Sequence, residues 1–166
     1  MSREHKLSPR RPSSGASHAI ENRQKSVRVA IRPLGHFLQK VFGELGLAED
    51  CLAIRLINDR QMARLNHQYR NKPRTTDVLS FPAEERHRPS NLQTRVRKLR
   101  GSFLGDIAIS PVVARRNART YRRHLDHEFR ILILHGLLHL LGYDHETDRG
   151  EMNRVETRLR RRLGIA

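Results

Sequence analysis

Three histidines decide what chemistry this chain can do: His135, His139 and His145, in FRILILHGLLHLLGYDH (residues 129–145). On an α-helix a separation of four residues is little more than one turn, so the first two imidazoles project from one face. Gly142 has the place of a helix C′ residue, where a left-handed conformation ends the helix and turns the chain. That turn can carry His145 back towards the other two rings. Three neutral imidazoles converging on one point make a facial ligand set for zinc or a similar divalent metal, with one position open. A single histidine on an apolar helix is usually a hydrogen-bonded core residue. Three at H-x3-H-x5-H spacing would need several buried polar partners, which makes metal binding the simpler account. Structural zinc is normally closed by a fourth protein ligand, so the open position favours catalysis.

The pattern is not that of a zinc peptidase. His127 and Glu128 would begin H-E-x-x-H only if position 131 were histidine, and it is Ile131. After the first ligand stands Gly136, where that class carries its catalytic glutamate.

Composition narrows the partners. At 166 residues the chain suits one domain with a real hydrophobic core. Lys and Arg number 33 against 17 acidic residues, a formal charge of +16. So basic a balance points to a polyanion, whether RNA, DNA or an anionic membrane surface. No apolar run reaches the ~18 residues that span a bilayer. Phe129–Leu141, interrupted by His135, Gly136 and His139, reads instead as a buried core helix. Cys51 is the only cysteine, so there is no disulfide framework and the chain suits a reducing cytosol. It reads as a small buried apolar residue beside a strand.

The elements that must position the histidines follow from periodicity. Residues 1–25 carry Ser, Pro and Arg with little periodic apolar content and read as a flexible basic tail. Its Arg and Ser content fits an organelle transit peptide, but Glu4, Glu21 and the want of an amphipathic pattern argue against one. Val27–Ile31 alternates and predicts a strand. Pro33 can open a helix, and Leu34, Phe37, Leu38, Val41, Phe42 and Leu45 form an apolar stripe closed by Gly46. Leu52–Ile57 predicts a second strand. Asn58 and Gln61 resemble a capping box for a helix to about Tyr69. Val78–Phe81 is a short strand stopped by Pro82. Residues 83–102, with Arg86, Arg88, Arg95, Arg97, Lys98 and Arg100, read as a loop or a short strand extension.

Leu104–Ile109 is the fourth strand, able to pair antiparallel with Val78–Phe81. Ser110 and Pro111 then open a helix to about His124. Asp126 is a candidate N-cap for the central helix, with Glu128 placed for its dipole. A last helix from about Arg149 to Leu163 puts Met152, Val155, Leu159 and Leu163 on one side. The sum is an α+β (α/β layer) fold. A small mixed four-stranded sheet packs with about five to six helices, and the central buried helix carries the metal ligands. The first strand–helix–strand unit should be a parallel crossover. Residues 26–166 form the single domain.

The block HGLLHLLGYDH resembles the signature of the YbeY family of metal-dependent endoribonucleases of ribosomal RNA maturation. Asn66-His67-Gln68-Tyr69-Arg70 is similar to that family's N-x-x-Y-R element, and Thr76-Asp77-Val78-Leu79-Ser80-Phe81-Pro82 to its T-D-V-L-S-F-P element. Gly105-Asp106-Ile107-Ala108-Ile109-Ser110 is similar to its G-D-I-x-I-S strand, and Met152 with Glu156 to the pattern of its last helix. These cover roughly residues 27–165 in order. The departures are the long basic tail and the basic stretch between Pro82 and Gly105.

The resemblance implies a cytoplasmic, zinc-dependent, single-strand-specific endoribonuclease. It would act in 3′-end maturation of 16S (small-subunit) rRNA and in ribosome quality control. Its partners would be rRNA, the small ribosomal subunit and its assembly factors. One Zn²⁺ would sit on His135, His139 and His145, although three imidazoles also suit nickel, copper or iron. Arg70 matches an arginine the family needs at its active site, where a guanidinium can bind a phosphate bidentately. Asp106 would orient Arg70 or support the metal shell, or be a strand-end residue. Asp144 would shape the turn or touch the metal. The alternatives are a ribosome assembly factor that binds metal without catalysis and a metallohydrolase of another substrate. Aromatics are scarce (five Phe, three Tyr, no Trp), so RNA contact should run mainly through phosphates.

Overall fold

The computed structural model describes residues 19–84 and 91–166. Most of the expected basic tail, together with Arg86 and Arg88, lies outside the described residues. Within them the chain forms β1 (Ile20–Asn22), α1 (Ile31–Leu45), β2 (Leu52–Leu56), α2 (Asp59–Arg70) and β3 (Val78–Pro82). It continues through α3 (Leu92–Lys98), β4 (Gly105–Ile109), α4 (Pro111–Thr120), α5 (Leu125–Leu140) and α6 (Glu151–Leu163). The sheet order is β1-β2-β4-β3. β1, β2 and β4 run parallel, and β3 pairs antiparallel to β4 as the outer strand. This is the mixed four-stranded α+β architecture the patterning implies.

Strand alternation sorts side chains between two layers. Leu52, Ile54, Leu56, Ile107 and Ile109 enter the main core with α1 and α5. On the opposite face Leu79 and Ala108 pack with Met62 of α2 and with Ile57. α1 buries Leu34, Phe37, Leu38, Val41 and Phe42, as its stripe requires. α2 opens on the reciprocal Asn58–Gln61 capping box. Ser110 caps α4 with Pro111 in its first turn. α5 is buried nearly all round, through Phe129, Ile131, Leu132, Ile133, Leu134, Leu137, Leu138 and Leu140. Helices apolar on every side belong inside, and this one packs against β3, β4, α1, α4 and α6.

Four expectations need correction. The first strand is Ile20–Asn22, not Val27–Ile31, so the sheet begins inside the stretch read as a tail and the domain starts before residue 26. Gln24 explains the difference. Its side-chain amide donates to the Val27 carbonyl and accepts from the Val27 N–H, both at 2.9 Å, and so takes the groups a strand would have paired.

The basic stretch contains a helix, α3, rather than a bare loop or strand extension. Asn91 caps it, and Leu92, Val96 and Leu99 turn one side to the core. That i, i+4, i+7 stripe is hidden among arginines in the sequence. α4 ends at Thr120 rather than near His124. α5 starts at Leu125 with His124 at the N-cap, so Asp126 lies inside the first turn and pairs with Arg130 at 2.7 Å. No helix among the described residues is long and apolar enough to cross a membrane.

Candidate metal centre

His135 and His139 stand one turn apart near the C-terminal end of α5, with ring centroids 4.8 Å from each other. The helix closes on a Schellman turn. Tyr143 N–H donates to Leu138 O at 3.0 Å, and Gly142 N–H to His139 O at 2.9 Å. Gly142 sits at φ +93°, a conformation costly for other residues. The reversed chain buries Tyr143 and brings the His145 ring to 5.2 Å from each of the other two. One ligand nitrogen from each histidine lies within 4.8 Å of the others. The Nε2 atoms of His135 and His139 are 3.2 Å apart. Two nitrogens of a tetrahedral zinc site, each about 2.0–2.1 Å from the ion, would stand roughly 3.3 Å apart. The His135–His139 pair therefore has the spacing of two zinc ligands, with a His145 nitrogen within 4.8 Å of both.

The surroundings reinforce the fit. Glu156 of α6, buried, approaches Nδ1 of His135 through Oε2 at 3.0 Å. A carboxylate only accepts, so His135 donates from Nδ1 and presents the lone pair of Nε2 to the centre. Arg160, one turn on, pairs with the other Glu156 oxygen. Burial raises the Glu156 carboxyl, but the His135 hydrogen bond and the Arg160 charge outweigh it and hold the group below its ordinary 4.5. Burial, with His135 and His145 alongside, pulls His139 down to about 4, so its ring is neutral and fit to ligate at neutral pH. Sequence reading placed Glu156 only in a helix pattern. Its spacing from His135 gives no local signal, because the two meet across α5 and α6.

Gly136 has a packing reason. A Cβ there would meet Ile107 side-chain carbons at 3.0 and 3.1 Å and Ser80 Oγ at 3.1 Å. The Ser80 hydroxyl donates to the Gly136 carbonyl at 3.0 Å. A glutamate at this position would collide with β3 and β4.

His139 of the cluster opens into a cleft of about 630 Å³, lined also by Arg70, Lys72, Ser80, Asp144 and Glu146 among others. Arg70, at the C-terminal end of α2, reaches this cleft alongside His139 of α5. Its Nη1 is 3.8 Å from Glu146 Oε1, with both side chains substantially exposed. Sequence reading did not single out Lys72, Ser80 or Glu146. Asp144 shapes the turn, accepting from the Glu146 N–H at 3.0 Å and the Thr147 hydroxyl at 3.1 Å.

Asp106 is elsewhere. Strand alternation turns it to the face away from α5, where its Oδ1 stands 3.0 Å from Arg55 Nη1. The structure thus brings together the three histidines and Arg70, and separates Asp106 from them.

Comparison with known proteins shows which family the chain resembles. A sequence model of the family described as Endoribonuclease YbeY matches residues 19–164. The Endoribonuclease YbeY of Nautilia profundicola is 41% identical over 119 residues, 72% of this chain and 76% of that protein. That of Solibacter usitatus is 41% identical over 138 residues, 83% and 80% of the two chains. The solution structure of TM1509 from Thermotoga maritima shares the fold, at TM-score 0.55, 22% identity and 87% coverage of each chain. A family match that starts beside β1 and ends in the last turn after α6 spans every element that builds the histidine cleft, and on it the chain belongs to the YbeY endoribonuclease family.

Proposed function

We propose that this protein is a zinc-dependent, single-strand-specific endoribonuclease acting in 3′-end maturation of 16S rRNA and in ribosome quality control. Its setting is the cytoplasm, and its partners are the small ribosomal subunit and the associated assembly factors. The single observation that carries the reading is the cleft, where His139 of the three-histidine cluster lies with Arg70 and Lys72. Relatives named as endoribonucleases support RNA as the substrate. Zinc on His135, His139 and His145 would supply Lewis acidity and a water acidic enough to ionise near neutral pH.

The residues of the chain do the rest. Glu156 holds His135 in one tautomer and orientation, and the Gly142 turn presents His145. Arg70 binds a phosphate of the strand and stabilises the charge that grows on it as the bond breaks. Its contact with Glu146 is long and solvent-exposed, so an incoming phosphate competes for the guanidinium easily. Lys72 adds a second positive charge along the strand's path. Gly136 offers no carboxylate beside the ligands, which sets the site apart from a peptidase.

The test is cleavage of a single-stranded RNA by the parent protein and by His139→Ala, with metal content read on both. Activity and metal lost together in the variant support the reading. A metal-loaded parent without cleavage, alone and with small subunits, overturns it. Arg70→Lys should lower turnover by about tenfold or more while metal content stays intact.

A further inference from the structure

The other concentration of chemistry lies at the opposite end of α5. Residues 115–124 read RRNARTYRRH, five arginines and a tyrosine with no carboxylate. α4 buries Pro111, Val113, Ala114 and Ala118, which leaves Arg116 and Arg119 exposed as i, i+3 neighbours. Tyr121 and Arg122 continue the exposed face around the turn. Tyr121 is 60% exposed, and the guanidinium of Arg123 sits 4.8 Å from its ring centroid. Arg123 is itself anchored to buried Glu128 at 3.1 Å. The ring is thus braced on one face and left available on the other. Among the described residues no carboxylate pairs with Arg116, Arg119 or Arg122.

The backbone adds an independent observation. α4 ends on the same turn as α5: Arg123 N–H donates to Ala118 O at 2.8 Å, and Arg122 N–H to Arg119 O at 3.2 Å. At the left-handed position α5 has Gly142, whereas α4 has Arg122 at φ +52°. Glycine is the unstrained residue there. The helix dipole offsets part of the strain for a cation, but the side chain points no charge at any acid of the described fold. A guanidinium stands where the backbone favours glycine.

We propose that Arg116, Arg119, Tyr121 and Arg122 form a second RNA-binding site, which grips the backbone of a long single strand outside the catalytic cleft. The proposal rests on the endoribonuclease reading. His124 and His139 are 15 positions apart on and beside α5, roughly 22 Å at the α-helical rise. A stacked strand advances about 3.4 Å per nucleotide, so it needs about six or seven nucleotides to engage both sites. The arginines take backbone phosphates, and Tyr121 stacks on an unpaired base, a contact duplex RNA cannot offer. The cleft selects where a strand is cut, and this face adds affinity only for strands long enough to reach it.

The experiment compares the parent, R116Q/R119Q/R122Q and R122G on a 4-nucleotide and a 20-nucleotide single-stranded RNA. Binding is read by fluorescence anisotropy across a salt series, with cleavage rates and thermal unfolding alongside. The triple variant should bind the 20-mer about ten- to a hundredfold more weakly near 0.1 M salt. The slope of log K against log salt should shrink by about 2, since each phosphate contact on a single strand contributes about 0.7. Cleavage of the 4-mer should be unchanged.

R122G should weaken 20-mer binding by several-fold without lowering the melting temperature, a combination a purely structural arginine would not give. Equal losses on both lengths, or an unchanged salt slope, overturn the proposal, as does a parent that binds no RNA. A metal-loaded parent that binds the 20-mer through these arginines but cuts neither RNA, alone and with small subunits, refutes the endoribonuclease reading and leaves this site standing.

Discussion

Two buried carboxylates separate the parts of this molecule. Glu156 and Asp106 are each buried, and each faces an arginine. Their protons nevertheless move in opposite directions. Glu156 also receives a hydrogen bond from His135 and is held below its ordinary range. Burial pushes Asp106 up, and the charges of Arg55 and Arg23 only partly oppose it. Arg55 Nη1 and Asp106 Oδ1 are 3.0 Å apart without the alignment of a hydrogen bond. One carboxylate holds a histidine of the candidate metal site, while the other sits on the far face of the sheet. A buried acid next to an arginine therefore does not mark a site; the ring that shares the acid does.

Replacing each in turn should separate their roles. Asp106→Leu leaves Arg55 buried without that partner and should cost about 3–5 kcal/mol of stability in urea unfolding. Metal stoichiometry of the folded fraction should stay at the parent value. Loss of metal there would return Asp106 to the site. Glu156→Gln should do the reverse, keeping the fold while metal affinity in a chelator competition drops about 10–100-fold. An unchanged affinity would reduce Glu156 to a structural role.

Acid sharpens the contrast in the metal-free protein. His139 takes up its proton near 6.5 when unfolded and only near 4 when folded. The unfolded state binds more protons between those values, so stability should fall as pH drops from 6.5 to about 4. Glu156, with its lowered folded value, contributes stability above about 4.5 that is lost as pH falls through the folded value. Asp106, raised in the fold, has the opposite sign: its protonation on acidification favours the folded state. Urea midpoints from pH 3 to 7 should therefore shift one way for Glu156→Gln and the other for Asp106→Asn. Shifts of the same sign would break the comparison.

The smallest effect belongs to Gly136→Ala. Crowding against Ile107 and Ser80 costs about 1–3 kcal/mol, and the better helix propensity of alanine returns up to about 1. Thermal unfolding should show a net loss of about 2 kcal/mol or less with metal retained. A stabilised variant would mean that β3 and β4 yield more easily than their packing implies.

What the sequence determined by itself was local. The i, i+4 histidines, the glycine that ends their helix and the stripe of α1 are periodic features that the backbone alone converts into geometry. So is the Asn58–Gln61 cap. The tertiary structure decided what depends on partners far along the chain. β1 was invisible at Ile20–Asn22 because three residues carry no period of their own, and pairing with β2 makes them a strand. α3 was masked by arginines until its apolar stripe met the core. Glu156 gained its role from α6 crossing beside His135, while Asp106 lost one to strand alternation. Side-chain chemistry near a ligand can be read from spacing only while the spacing stays within one helix or turn. Beyond that, packing chooses the neighbours.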